Sequence, residues 1–161
     1  MAQGLPGAGD DPLPTPRFVA ALRVQVAVPI MVGPVAGGER RIVPILGGTL
    51  SGPGLEGEIL PGGADVQLIR PDGVTEVEAR YAIRLADGAL LYVNNRGLRH
   101  AAPEDMARLL RGEFVPPERV YFRTTPAFET PSPALAWMHR TLFTGLGERF
   151  PDEVRLRVFA L

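Results

Sequence analysis

The feature that most constrains this chain is a two-residue rhythm that glycine and proline keep interrupting. Phe18, Ala20, Leu22, Val24, Val26 and Val28 fall on one side of an extended chain, with Arg23 and Gln25 on the other. Successive side chains of a strand point to opposite faces, so this pattern predicts a strand with one buried face. Short apolar segments follow, "IMVGPV", "RRIVPIL", "GTLSG" and "LEGEIL", each cut by Gly or Pro. Pro34 and Pro44 belong at edges or bulges, because proline cannot donate to a hydrogen-bond ladder.

The middle of the chain continues in the same way. "ADVQLIR" and "VTEVEARYAIRL" predict strands joined at "PDG", where Gly73 supplies the positive φ of a tight turn. "ADGALLYVNNRG" predicts another hairpin at Asp87-Gly88. Only "PEDMARLLRG" has helical spacing: Pro103 suits the first turn, Glu104 and Asp105 its positive end, and Gly112 the stop. Met106, Leu109 and Leu110 supply the apolar stripe. "RVYFRTTPAFET", "LAWMHRTLFTG" and "VRLRVFAL" read as further strands. About eight to ten short strands with one short helix predict an all-β sandwich or barrel. We read an antiparallel closed β-barrel, one domain over residues 18–161, preceded by a flexible Gly/Pro-rich arm over 1–16.

Composition narrows the functions. A formal net charge of −1 argues against a broad electrostatic grip on nucleic acid or an anionic membrane. No run reaches the ~20 apolar residues of a membrane helix. "MAQGLPGAGDDPLPTPR" lacks the basic and apolar regions of a signal peptide, so a cytoplasmic location is expected. Every basic side chain is arginine, which excludes Schiff-base chemistry at lysine. Cysteine is absent, and with it disulfides, thiolate nucleophiles and cysteine metal sites. His100 and His139 are the only histidines, without metal-ligand spacing. No metal and no cofactor are expected.

Alternation sorts the polar residues by face. Val77, Ala79, Tyr81, Ile83 and Leu85 share an inner face, while Glu76, Glu78, Arg80 and Arg84 face solvent. Asn95 is in register with Leu91 and Val93, and Asp65 with Gln67. Trp137 and His139 align with Leu135, Thr141 and Phe143. Tyr121 and Arg123 oppose Phe122, Thr124 and Phe128, and Pro126 is expected to bend the strand and reset the count before Glu129. A barrel packed only for structure would hold Val, Ile and Leu inside. Here the inward set includes Asp65, Gln67, Tyr81, Asn95, Trp137 and His139, with Arg123 a further candidate. Buried polar groups are costly unless paired. The set is therefore either an internal Asp–Arg–Tyr network or a polar and aromatic ligand pocket.

Asp65 and Glu129 are the candidate acid and base, provided burial separates their pKa values. Arg123, with Asn95, is the candidate for stabilising developing negative charge. Gln67, Tyr81, Tyr121, Phe128, Trp137 and His139 are candidate ligand contacts. The expected function is binding of a small lipophilic or aromatic organic molecule, open to catalysis by a cofactor-independent isomerase, cyclase or lyase. The alternative is a non-catalytic barrel with a solid core. A homo-oligomer is expected.

The run "GGTLSGPGLEGEILPGGAD", then "DGALLYVNNRG", "YFRTTPAFET" and the spaced Trp, Arg and Leu-Phe of 137–147 resemble the bacterial DUF3237 family, also called UPF0311. The resemblance covers roughly residues 18–161. It implies a small antiparallel barrel of the calycin or allene-oxide-cyclase type, and no particular reaction. The matching positions are Gly63, Asp65, Tyr81, Asn95, Gly97, Tyr121, Phe122, Arg123, Phe128, Glu129 and Trp137. Two departures are Val66, where the family usually has Trp, and His139, where it usually has Asn. If both flank the pocket, they would alter ligand shape or proton chemistry.

Overall fold

The structure is a computed structural model that describes residues 14–161. Most of the arm expected to be flexible, residues 1–13, lies outside the described residues. Ten strands form one antiparallel sheet: β1 (Arg17–Val26), β2 (Ile30–Val35), β3 (Gly38–Gly52), β4 (Leu55–Ile59), β5 (Ala64–Ile69), β6 (Thr75–Leu85), β7 (Leu90–Ala101), β8 (Val120–Glu129), β9 (Phe143–Arg149) and β10 (Glu153–Ala160). Neighbours run β1-β10-β9-β8-β7-β6-β4-β3, and β3 pairs back onto β1. The sheet is therefore a closed antiparallel barrel of eight staves, with β2 and β5 as extra strands.

The extra strands follow from the length of β3. Its C-terminal half pairs with β1 and β4, and its N-terminal half with β2 and β5. Pro44 sits where β3 exchanges β2 for β1, so its missing N–H falls in the break between the two ladders. Pro34 lies in β2, the exposed edge. Both hairpins form as expected, with Gly73 at φ 86 and Gly88 at φ 88. Asp72 and Asp87 each accept a hydrogen bond from the backbone N–H two residues on, the local bonding that makes aspartate a turn residue.

The helix α1 spans Pro103–Leu110 and leads from β7 to β8. Met106, Leu109 and Val115 make a small apolar cluster there, separate from the main core. The segment read as a strand at Leu135–Phe143 is instead a 3-10 helix over Pro133–Arg140, and β9 begins only at Phe143. Pro131 and Pro133 cannot donate to a ladder. The intervening Ser132 N–H is taken by the Thr130 hydroxyl. Pro126 does not reset β8: Phe122, Thr124, Pro126 and Phe128 all face inward. The β8–β9 register runs only through Arg123 and Thr124, so Pro126 breaks no bond there.

The barrel interior has two unlike ends. One is apolar, with Leu22, Leu50, Ile59, Ile83, Leu91 and Phe128 buried together. At the other, where β7 leads to α1, the buried side chains are Arg41, Gln67, Thr75, Asn95, Arg99, Thr124 and Arg149.

Candidate functional site

The polar end is built on the ordinary alternation of five strands. Arg41 lies two residues before Val43 on β3, Asp65 and Gln67 share a face of β5, and Asn95 and Arg99 continue the inward row of β7. Thr124 and Arg149 do the same for β8 and β9. Asp65 Oδ2 accepts from Gln67 Nε2 at 2.5 Å, and Oδ1 from the Glu78 backbone N–H at 3.0 Å. Gln67 Oε1 accepts from Arg41 Nε at 2.7 Å and from Arg99 Nη2 at 3.5 Å. One amide thus bridges a carboxylate and two guanidinium groups. Arg99 is 1% exposed and lies 5.5 Å from the centre of the Phe122 ring. Arg149 donates through Nη1 to the carbonyls of Phe150 and Glu153.

The shape of this end depends on glycine. A Cβ on Gly147 would lie 2.5 Å from Cδ1 of Phe122. The missing side chain on β9 is the space into which the Phe122 ring packs, and that ring in turn backs Arg99.

Burial decides the electrostatics. Asp65 is partly buried as a residue, but its carboxyl faces the interior. Loss of hydration pushes that carboxyl above its ordinary range, outweighing the Gln67 bond and the attraction of Arg99 and Arg41. Burial, reinforced by Arg41 and Arg149, pushes the Arg99 guanidinium down to about 9 against the pull of Asp65, so it remains charged at neutral pH. Burial and then the Asp65 charge raise the Tyr81 phenol.

A cavity of about 30 Å³ lies among these groups. Asp65, Gln67, Tyr81, Asn95, Thr124 and Arg149 line one side, and Val24, Val26, Val43, Ile45 and Leu156 the other. That volume exceeds the ~10–15 Å³ one water needs. Tyr81 Oη, Asn95 Oδ1, Thr124 Oγ1, and Arg99 Nε and Nη1 are buried without a hydrogen-bond partner in the protein. Native interiors satisfy the large majority of such atoms, so a cluster of orphans beside one cavity marks a place where something else bonds.

The expected site residues divide. Gln67, Tyr81 and Asn95 face inward beside Asp65 as expected. Phe128 faces inward at the apolar end, 5.0 Å from Phe143. Trp137 is half-buried on the 3-10 helix, against Phe143 and Arg17. His139 is exposed and accepts the Thr130 N–H at 3.0 Å. Tyr121, Arg123 and Glu129 lie on the outer face, because the alternation of β8 is never broken. Arg123 stacks over Tyr121 at 5.2 Å and donates to the Phe122 carbonyl. The barrel wall therefore separates Asp65 from Arg123 and Glu129, and the three do not form one constellation. Val66 also points outward, so neither it nor the exposed His139 flanks the interior cavity.

Arg41, Arg99, Arg149 and Thr124 are the functional candidates that sequence reasoning missed. Their signal was present: Arg41, Arg99 and Arg149 continue a period of two beyond the apolar residues of their strands, and Thr124 lies between Phe122 and Phe128 on the inward row of β8. Tyr121 and Arg123 border a wide outer depression with Arg40, Val66 and Arg96. It is open to solvent, and Glu76 and Glu78 on its border offset the arginines, so it lacks the desolvation that gives the interior site its character.

Among the described residues, no group of three or more His, Cys, Asp or Glu is placed to hold a metal ion. No helix among them is long and apolar enough to cross a membrane. Fold and site together define a class: small closed antiparallel β-barrels with a charged, hydrogen-bonded end inside. A family model described as "Protein of unknown function (DUF3237)" matches residues 14–161, and the chain belongs to that family. It is 42% identical over 144 residues to a UPF0311 protein of Clostridium acetobutylicum, covering 89% of this chain and 91% of that one. The crystal structure of a conserved protein of unknown function from Rhodopseudomonas palustris superposes with a TM-score of 0.90 at 41% identity, covering 93% of this chain and 99% of that one. A "beta-barrel like protein" from Acinetobacter baumannii gives a TM-score of 0.81 at 34% identity, covering 94% of this chain and 98% of that one.

Proposed function

We propose that the protein binds a small organic molecule at the polar end of its barrel, and that Asp65 equips it for proton transfer without a cofactor, as an isomerase, cyclase or lyase. The observation that carries this reading is the cluster of unpartnered buried polar atoms around the cavity. Asp65 supports the second clause, because a carboxyl raised by burial moves toward the range in which it can both take and return a proton near neutrality. The charge-stabilising role expected of Arg123, which lies on the outer face, falls to the interior arginines. A chain without cysteine loses nothing in a reducing compartment, and a cytoplasmic location is part of the reading.

Native mass spectrometry of the protein purified from its host tests it, with the denatured sample as reference. An extra mass lost on unfolding is expected, together with thermal shifts from small organic molecules. No extra mass and no shift would return the polar end to the role of a closure network. A second, compatible reading is self-association: Ile30, Met31 and Val32 are 56%, 58% and 56% exposed on β2, which among the described residues pairs on one side alone. Such edges are templates for pairing.

A further inference from the structure

We propose that the ligand of the polar end is a small organic acid bound as its anion, its charged oxygens received by Arg149 and by the hydroxyls of Tyr81 and Thr124. The inference rests on the binding reading above and names the chemical class. Three buried guanidinium groups share this end with one carboxylate, that of Asp65: Arg41 and Arg99 are joined to it through Gln67, and Arg149 lines the same cavity. The surplus is two positive charges in an interior where an uncompensated charge is costly. Asp65 carries a single negative charge and directs its two oxygens at the Gln67 amide and the Glu78 N–H. Of the acidic side chains nearby, Asp152 attracts Arg149 from the exposed rim, and Asp105 is held by Arg119 at 2.7 Å. Among the described residues, Asp65 is thus the one acidic side chain that lines the cavity.

The cavity itself shows where the missing charge would sit. Arg149 lines it directly, while Arg41 and Arg99 stand behind Gln67, bonded to its Oε1. Tyr81 and Thr124 line it with hydroxyls that have no partner and can donate to an anion. The wall formed by Val24, Val26, Val43, Ile45 and Leu156 suits the hydrocarbon body of an acid and not a hydrated inorganic ion. Charge-assisted hydrogen bonds are about twice as strong as neutral ones, so the site discriminates an acid from its uncharged amide.

The test is calorimetric titration of the full chain with sodium acetate and sodium benzoate, and with acetamide and benzamide, at one ionic strength. At least one acid is expected to bind at least about tenfold more tightly than its amide. Arg149→Gln is expected to remove that preference and leave the amide unchanged. Asn95→Asp puts a second carboxylate in the cavity wall, where Asn95 Oδ1 has no partner. It is expected to raise the melting temperature of the empty protein and to weaken the acid. Amide binding as tight as acid binding, or acid binding unmoved by both variants, overturns the anion while leaving the binding reading in place. A neutral co-purified ligand with no response to either acid does the same. Silence toward all four compounds with no co-purified mass removes both. Melting temperatures lowered by both variants with binding unaltered would assign the arginines to barrel closure and overturn the proposal.

Discussion

Gly147→Ala should destabilise the barrel through a single contact. The new Cβ would stand 2.5, 2.7 and 2.8 Å from Cδ1, Cγ and Cε1 of Phe122, inside any normal carbon–carbon separation. Gly147 is not among the glycines with positive φ, so backbone strain contributes nothing and the cost is overpacking. Forcing an extra methyl into a packed core costs about 1–3 kcal/mol. At about 2–4 °C per kcal/mol for a chain of this size, that is roughly 2–12 °C in melting temperature. Phe122→Leu alone should also destabilise, by less than the ~3–5 kcal/mol of a Phe→Ala truncation. Combined, the two should cost at least about 1 kcal/mol less than their sum, because the smaller side chain vacates the space that the new Cβ needs. Urea unfolding of the four proteins in the cycle measures this directly. Additive costs would show that Gly147 is not there to admit Phe122. The same cycle reports on the site, since Phe122 backs Arg99 and its displacement should weaken ligand binding.

Four further outcomes follow from the geometry. The Asp65 carboxyl has a folded pKa above its unfolded 3.8, so its contribution to stability is whole below about pH 4 and is lost as pH rises through the folded value. Wild type minus Asp65→Asn should therefore fall over that window in urea titrations, and a flat difference would contradict the burial argument. Tyr81→Phe removes a buried hydroxyl without a protein partner and should change stability by no more than about 1 kcal/mol; a larger loss would reveal a bond to that hydroxyl. Arg123→Ala and Glu129→Ala, both on the outer face, should stay within about 0.5 kcal/mol of wild type and leave ligand affinity unaltered, and weakened binding would return them to the site. Ile30→Lys on the exposed edge β2 should lower the oligomeric mass measured by light scattering, whereas an unchanged mass would place self-association elsewhere.

The candidate site was half legible for reasons that particular residues show. Gln67, Tyr81 and Asn95 could be placed inside because apolar neighbours two residues away fixed their face. Arg99 follows the same row of β7 as Asn95, yet a charge at the end of an apolar run reads as a solvated terminus. Only the pairing of β7 with β6 and β8, and the ring of Phe122, place it inside. The aromatic residues around Arg123 and Glu129 suggest that both line an interior. Aromaticity alone does not fix a face, and the unbroken alternation through Pro126 puts both outside. His139 and Trp137 share a row only if their segment is extended, and two prolines prevent that.

By itself, the sequence determined most of the element types, the hairpins at Gly73 and Gly88, the helix over Pro103–Leu110, and an interior that must hold polar groups. These are local properties, set by side-chain period, by φ, and by the missing proline N–H. The tertiary structure alone decided that β3 closes onto β1, that β5 and β2 share its two flanks, and that three arginines gather at the end of the barrel that holds Asp65. Those arrangements join residues as far apart as Arg41 and Arg149. Their proximity depends on sheet closure and register, which no local stretch encodes.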